Sequence, residues 1–257
     1  REVMYKSQNE GKMHACGHDG HIAMLLGAAQ ALARFRERIE GNIKLIFQPA
    51  EEGPNPSGAY RMVQEGVLKE VDAVFGMHLD PLLPTGKVLI NRNRAMAASD
   101  VFEITLKGKG GHPGYPHESV DAIAMACRVI EAFQFIISRE INPLEPAAIT
   151  IGTIHGGYKS NVIASEVTMT GTIRTQSQNI REIVSSKMKN VLEHITAMSG
   201  GDYELKVVPD LPNLENDEKM AEFVKKVCSM QLGENNVIFS NTPAMGSEDF
   251  AYYLQQK

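Results

Sequence analysis

The sequence predicts an α/β protein in two parts: a mostly parallel-sheet domain covered by helices, and a smaller ferredoxin-like unit inserted into it. Two observations carry this expectation. Helical periodicity alternates with short, doubly apolar runs between residues 21 and 79, and the alternation resumes after Pro209, a rhythm that suits a parallel sheet buried on both faces. Between residues 98 and 208 the order changes to β-α-β-β-α-β, the split βαβ arrangement. The predicted domains are therefore 1–96 plus 209–257, and 97–208.

The elements follow in chain order. "HIAMLLGAAQALARF" at 21–35 has helical spacing, and the apolar run "NIKLIFQPA" at 42–50 reads as a buried strand. A helix-like "SGAYRMVQEGVL" and a strand-like "DAVFGMHL" at 72–79 come next. The inserted unit reads as strand "DVFEITLKG", helix "SVDAIAMACRVIEAFQFII", strand "PAAITIGTIHGG", strand "NVIASEVTMTGTIRT", helix "NIREIVSSKMKNVLEHITAMSG" and strand "DYELKVVP". Helix "NDEKMAEFVKKVCSMQL", strand "NVIFS" and the loop "NTPAMGSEDF" close the chain.

Composition bounds the function. At 257 residues, 43% hydrophobic and 22% charged, the chain can bury a sizeable core. No run approaches the length of a membrane span, and "REVMYKSQNEGKMH" offers no apolar leader, so a cytoplasmic protein with no membrane partner is expected. Cys16, Cys127 and Cys228 are too far apart to suggest a disulfide framework. A formal charge of −5 argues against nucleic acid and for a small-molecule partner.

The chemistry concentrates at predicted strand ends, where open α/β sheets gather their sites. In "MHACGHDGH", Cys16 and His18 stand two apart just before a helix, a loop spacing that lets a thiolate and an imidazole converge on zinc or a neighbouring metal. Alone, the stretch also fits a polar helix entry with Asp19 as N-cap, and His14 and His21 fit supporting roles. "FQPAEEG" runs an apolar segment into Glu51 and Glu52, adjacent acids that need positive compensation if buried. One could hold a metal while its neighbour takes a proton from water. His78 ends "VFGMHL" in the same way. On the inserted unit, His112 and His117 sit in the glycine-rich "GKGGHPGYPHES", where a histidine could donate to an oxyanion or be a merely exposed turn residue. Asn161 and Arg174 fall at the edges of strand-like segments and could bind a carboxylate or be structural. "MGSEDF" fits pocket contacts or a helix cap. A redox role for Cys16 is disfavoured, because no resolving cysteine lies nearby in sequence.

Taken together, "MHACGHDGH", "FQPAEEG", "GMHL", "GKGGHPGYPH", "NVIA", "GTIRT" and "GSEDF", in this order, closely resemble the M20 metallopeptidase family, and within it the amidohydrolase branch acting on N-acyl amino acids. The resemblance implies two divalent metals per subunit (zinc, manganese, cobalt or nickel) and an inserted domain that acts as lid and pairs subunits into a homodimer. Carried over motif by motif, it makes Cys16, His18, Glu52 and His78 metal ligands and Glu51 the general base. His112 matches a lid histidine that stabilises the tetrahedral intermediate, often from the partner subunit; Asn161, Arg174 and His117 match substrate-binding positions. An M20-type aminopeptidase or dipeptidase, or a non-catalytic metal-stabilised binding protein, are the competing readings. Family members also carry an upstream Asp-x-Asp motif and a final ligand histidine after "GSEDF". Neither stands in these 257 residues, which therefore read as a fragment expected to hold metal incompletely and turn over little by itself.

Overall fold

In β3 (Ala98–Lys107) alternate side chains point to opposite faces, and Phe102, Ile104 and Leu106 turn inward to form the floor of the larger core. The computed structural model, which describes residues 3–53 and 55–256, pairs this strand on both sides. It runs antiparallel to β5 (Glu166–Thr175) and to β6 (Asp202–Leu211), while β4 (Ala147–Gly156) borders β5, so the sheet order is β4-β5-β3-β6. Helices α3 (Ala122–Phe135) and α4 (Gln178–Ser199) cover this sheet with Met125, Val129 and Phe133 from one and Val184, Met188 and Leu192 from the other. Phe102 and Phe133 meet edge to face at 6.4 Å between ring centres, a favoured aromatic geometry. Asp121 caps α3 by accepting from the amides of Ile123 and Ala124, and Ser177 caps α4 through Ile180. The β-α-β-β-α-β order expected of residues 98–208 is thus present, with the third strand beginning at Glu166 instead of 161.

The rest of the chain is built more loosely. Helix α1 (His18–Arg34) buries none of its residues, and α2 (Gly58–Gln64) buries Gly58 and Ala59. Strand β1 (Val88–Asn91) pairs in parallel with β8 (Val237–Ser240), beside α5 (Glu218–Leu232); β2 (Arg94–Met96) pairs with β7 (Leu214–Glu215). Helix α6 (Ala251–Leu254) supplies Tyr253 to a small second core with Ala59 and Leu68, flanked by Ile46, Met62 and Phe250.

In the segments expected to carry a mostly parallel sheet, the described residues hold one parallel strand pair, β1 with β8, and one short antiparallel pair, β2 with β7; the four-stranded antiparallel sheet lies in the β-α-β-β-α-β unit. Two expectations need correction. Residues 42–50 and 72–79 belong to no assigned strand, and Ile43, Leu45, Phe47, Phe75, Met77 and Leu79 are exposed. An apolar run specifies burial against something; a ladder also needs a partner backbone in register. Finally, α1 starts at His18, so its N-cap is Gly17 and not Asp19. Gly17 sits at φ 77, a left-handed conformation that favours glycine, and Asp19 lies in the first turn, where negative charge suits the helix N-terminus.

Loop 241–250 joins the two regions. Ala97 N–H donates to Gly246 carbonyl at 2.8 Å, Gln176 Nε2 to Ala244 carbonyl at 2.6 Å, and Arg174 Nη1 to Ser247 Oγ at 2.6 Å. No helix among the described residues is long and apolar enough to cross a membrane.

Candidate metal centre

Cys16 and His18 converge because Gly17 turns the backbone between them just as the helix begins. His78 arrives from the 72–79 segment, and Cys16 Sγ lies 3.4 Å from His78 Nε2. The opposite ring nitrogen decides what that contact means. His78 Nδ1 is 2.7 Å from the Leu79 carbonyl oxygen, which can only accept, so Nδ1 carries the proton and Nε2 turns a lone pair toward the thiol. Pinning one imidazole nitrogen on a carbonyl is how ligating histidines are oriented. His21 supports the same corner, its Nε2 accepting from the Leu79 amide at 3.0 Å. Burial first, then the neighbouring His78 and His18, hold its pKa down, in keeping with a neutral acceptor.

The carboxylates come from a strained turn. Ala50 has φ 54, a left-handed conformation that costs a residue with a β-carbon about 1–2 kcal/mol. Its carbonyl accepts from the amides of Gly53 at 3.2 Å and Gly58 at 3.1 Å. Gly58 is required there, since a β-carbon would stand 1.6 Å from the Pro49 carbonyl oxygen. The turn sends Glu51 to within 3.6 Å of His18 Nε2.

Three donor groups follow, each with atoms within 4.8 Å of one another: Cys16, His18 and His78; His18, Glu51 and Glu52; and Glu51, Glu248 and Asp249. They share His18 and Glu51, so they form one continuous cluster. Two ligands of one tetrahedral zinc lie about 3.4–3.6 Å apart, given metal–ligand lengths near 2.0–2.3 Å. The Cys16–His78 separation of 3.4 Å matches that spacing.

Electrostatics point the same way. Burial, then the charges of Glu52 and Asp249, push the Glu51 carboxyl above its ordinary range. Glu248 is pushed up to about 7, by burial and then by Glu51. Burial, Glu52 and Glu51 also raise the Cys16 thiol. Among the described residues no Lys or Arg forms a salt bridge with these acids. A divalent cation would supply the missing charge, and a thiolate, imidazoles and carboxylates suit a first-row transition ion.

Of the residues singled out in the sequence, the fold brings together Cys16, His18, Glu51, Glu52 and His78. It does not bring the others into that cluster. His112 is exposed and accepts from the Gly114 amide at 3.1 Å. His117 is exposed in the turn Pro116–Glu118, 3.9 Å from Glu118. Asn161 lies in a turn before β5 and not on a strand edge, and Arg174 reaches Ser247. Glu248 and Asp249, which border the cluster, were missed; Asp249 is tied up accepting from Gln48 and the Ala59 amide and stands outside the ligand set. The available signal was two acids between small and aromatic residues in "GSEDFAYY", and their burial is what a linear pattern does not display.

The cluster combines a thiol, imidazoles and carboxylates, the donor set of a transition-metal site. The chain belongs to Peptidase family M20/M25/M40, whose sequence profile matches residues 2–257. It is 38% identical over 256 residues to thermostable carboxypeptidase 2 of Saccharolobus solfataricus, covering 99% of this chain and 64% of that protein. It is 39% identical over 252 residues to N-acetylcysteine deacetylase of Bacillus subtilis, covering 98% and 65%. A dinuclear metal binding M20 peptidase from Bacillus subtilis superposes with a TM-score of 0.80 at 33% identity, covering 99% of this chain and 64% of that one. The chain thus spans about 64% of the length of the curated carboxypeptidase.

Proposed function

We propose that this protein is a metal-dependent amidohydrolase that cleaves N-acyl amino acids, N-acetyl or N-aroyl, into a carboxylic acid and a free amino acid. The carrying observation is the His78 tautomer, with Nδ1–H held by the Leu79 carbonyl and Nε2 presented to Cys16 within the donor cluster. Cys16, His18, Glu52 and His78 would hold the metal, two ions per subunit, and the thiolate favours zinc over manganese, cobalt or nickel. The bound ion supplies Lewis acidity, polarising the amide carbonyl and acidifying water.

The protein's own residues do the rest. Glu51, beside His18 and held above the usual carboxylate range, takes the proton from the attacking water and passes it to the leaving nitrogen. His112, exposed on its loop, donates to the oxyanion once residues 97–208 close as a lid, from the same or a partner subunit. Arg174, Asn161 and His117 hold the substrate, the guanidinium being suited to a carboxylate. β4 leaves one edge of its sheet open, which supports pairing of two copies through this domain; sedimentation at micromolar concentration should give a dimer, and a monomer would remove that part of the proposal. Three free cysteines support a reducing, cytoplasmic setting.

The direct test combines metal analysis with a panel of N-acetyl and N-aroyl amino acids on the full-length protein. Amino acid should be released only when metal is present. Release that survives chelation, or none from any N-acyl amino acid, overturns the proposal.

A further inference from the structure

Beside the ligand set, a partly buried hydrogen-bond chain ends on the turn that carries Glu51. Tyr253 Oη donates to Gln48 Oε1 at 2.8 Å, and Gln48 Nε2 donates to both oxygens of Asp249 at 2.8 Å each. Asp249 Oδ2 also accepts from the Ala59 amide at 3.0 Å. The orientation of the Gln48 amide is therefore dictated: a carboxylate only accepts, so nitrogen faces Asp249 and oxygen faces the phenol. Asp249 is 1% and Tyr253 2% exposed, and burying a carboxylate with neutral donors alone is costly.

Gln48 is separated from Glu51 by Pro49, which has no amide hydrogen, and by Ala50 in its left-handed conformation. Downstream, the turn is pinned by the Gly53 and Gly58 amides on the Ala50 carbonyl. Upstream, the Gln48 side chain makes the side-chain hydrogen bonds that tie the turn to the 249–253 segment. Glu51 lies between the two fastenings.

We infer that Gln48, clamped between Asp249 and Tyr253, is a positioning residue that fixes the 49–52 turn so that the Glu51 carboxylate stays against His18. The inference rests on the proposed role of Glu51 as base. None of the three side chains needs to touch the reacting atoms; they act through the backbone of the turn.

The test is an exchange of charge at constant connectivity. Gln48→Glu sets two carboxylates face to face with no donor between them. It should lower kcat about 10- to 100-fold, the cost of a base displaced by roughly an ångström, with KM and metal content unchanged. In Gln48→Glu/Asp249→Asn, the new amide nitrogen donates to residue 48, Tyr253 still donates, and the amide oxygen still accepts from Ala59; kcat should recover toward wild type. Tyr253→Phe, which deletes one hydroxyl, should show a smaller kcat loss with the same unchanged KM. Crystal structures of the metal-free variants give a readout independent of turnover: Glu51 should leave His18 in Gln48→Glu and return in the double variant, with the Cys16–His78 contact retained throughout. A folded Gln48→Glu with wild-type kcat, an unmoved Glu51, or a double variant no better than the single one overturns the inference. If the wild type releases no amino acid, the hydrolase reading fails, while the position of Glu51 in the crystals still decides the positioning role.

Discussion

The bond from His78 Nδ1–H to the Leu79 carbonyl fixes which imidazole nitrogen can ligate. His78→Ala should therefore lower metal affinity by about 100-fold or more, measured by competition with a chromophoric chelator; undiminished affinity would remove His78 from the ligand set. Tyr253 carries a separate signature. Burial, then the charges of Asp249 and Glu248, push its phenol up to about 12. A raised pKa means that the folded state binds the proton more tightly, so the stabilisation is complete below the ordinary phenol value near 10 and is lost as pH rises from there toward 12. Absorbance at 295 nm should show one tyrosine titrating late, and Tyr253→Phe should remove that component. At this scale the sequence was informative where chemistry and position coincided: Glu51, Glu52 and His78 are ligand-type residues at the ends of apolar segments, and Cys16 and His18 stand two apart before a helix. Glu248 and Asp249 were opaque because burial, which makes them matter, comes from α2 and the 48–51 turn folding over them.

Strand β3 and helix α4 are joined by an ion pair as well as by core contacts. Asp100, 3% exposed, accepts from Arg181 Nε at 2.9 and 3.1 Å and pairs also with Nη2. Removing one partner leaves a buried charge uncompensated, so Arg181→Ala should cost about 3–5 kcal/mol in chemical denaturation. A loss under about 1 kcal/mol would mean that water enters and solvates Asp100. The β-α-β-β-α-β unit was legible because its period switches cleanly between two and 3.6 residues, and each strand found a partner from within the same unit. Residues 42–50 and 72–79 have equally apolar patterns, yet remain outside any assigned strand. Periodicity reports a buried face; it does not report which backbone lies alongside.

At the scale of the whole molecule, the described residues form two cores of unequal size. One spans β3–β6 with α3 and α4, whereas the other centres on Ala59, Leu68 and Tyr253. Unequal apolar burial gives unequal local stability. Hydrogen exchange should find the slowest amides in β3, β5 and α4, while α1, which buries no residue, exchanges early. A single uniform protection level across both regions would contradict this. Because the donor cluster lies in the less stable region, metal should raise its protection selectively, by linkage to binding.

The proposed hydrolysis turns on Glu51 acting as base within a cluster that other side chains hold together. The most direct measurement is turnover and metal content of Glu51→Gln beside wild type, in the full-length protein acting on an N-acyl amino acid. Removal of a general base should lower kcat by about 10²–10⁴-fold with metal content unchanged. Wild-type turnover in the metal-replete variant would remove Glu51 as the base.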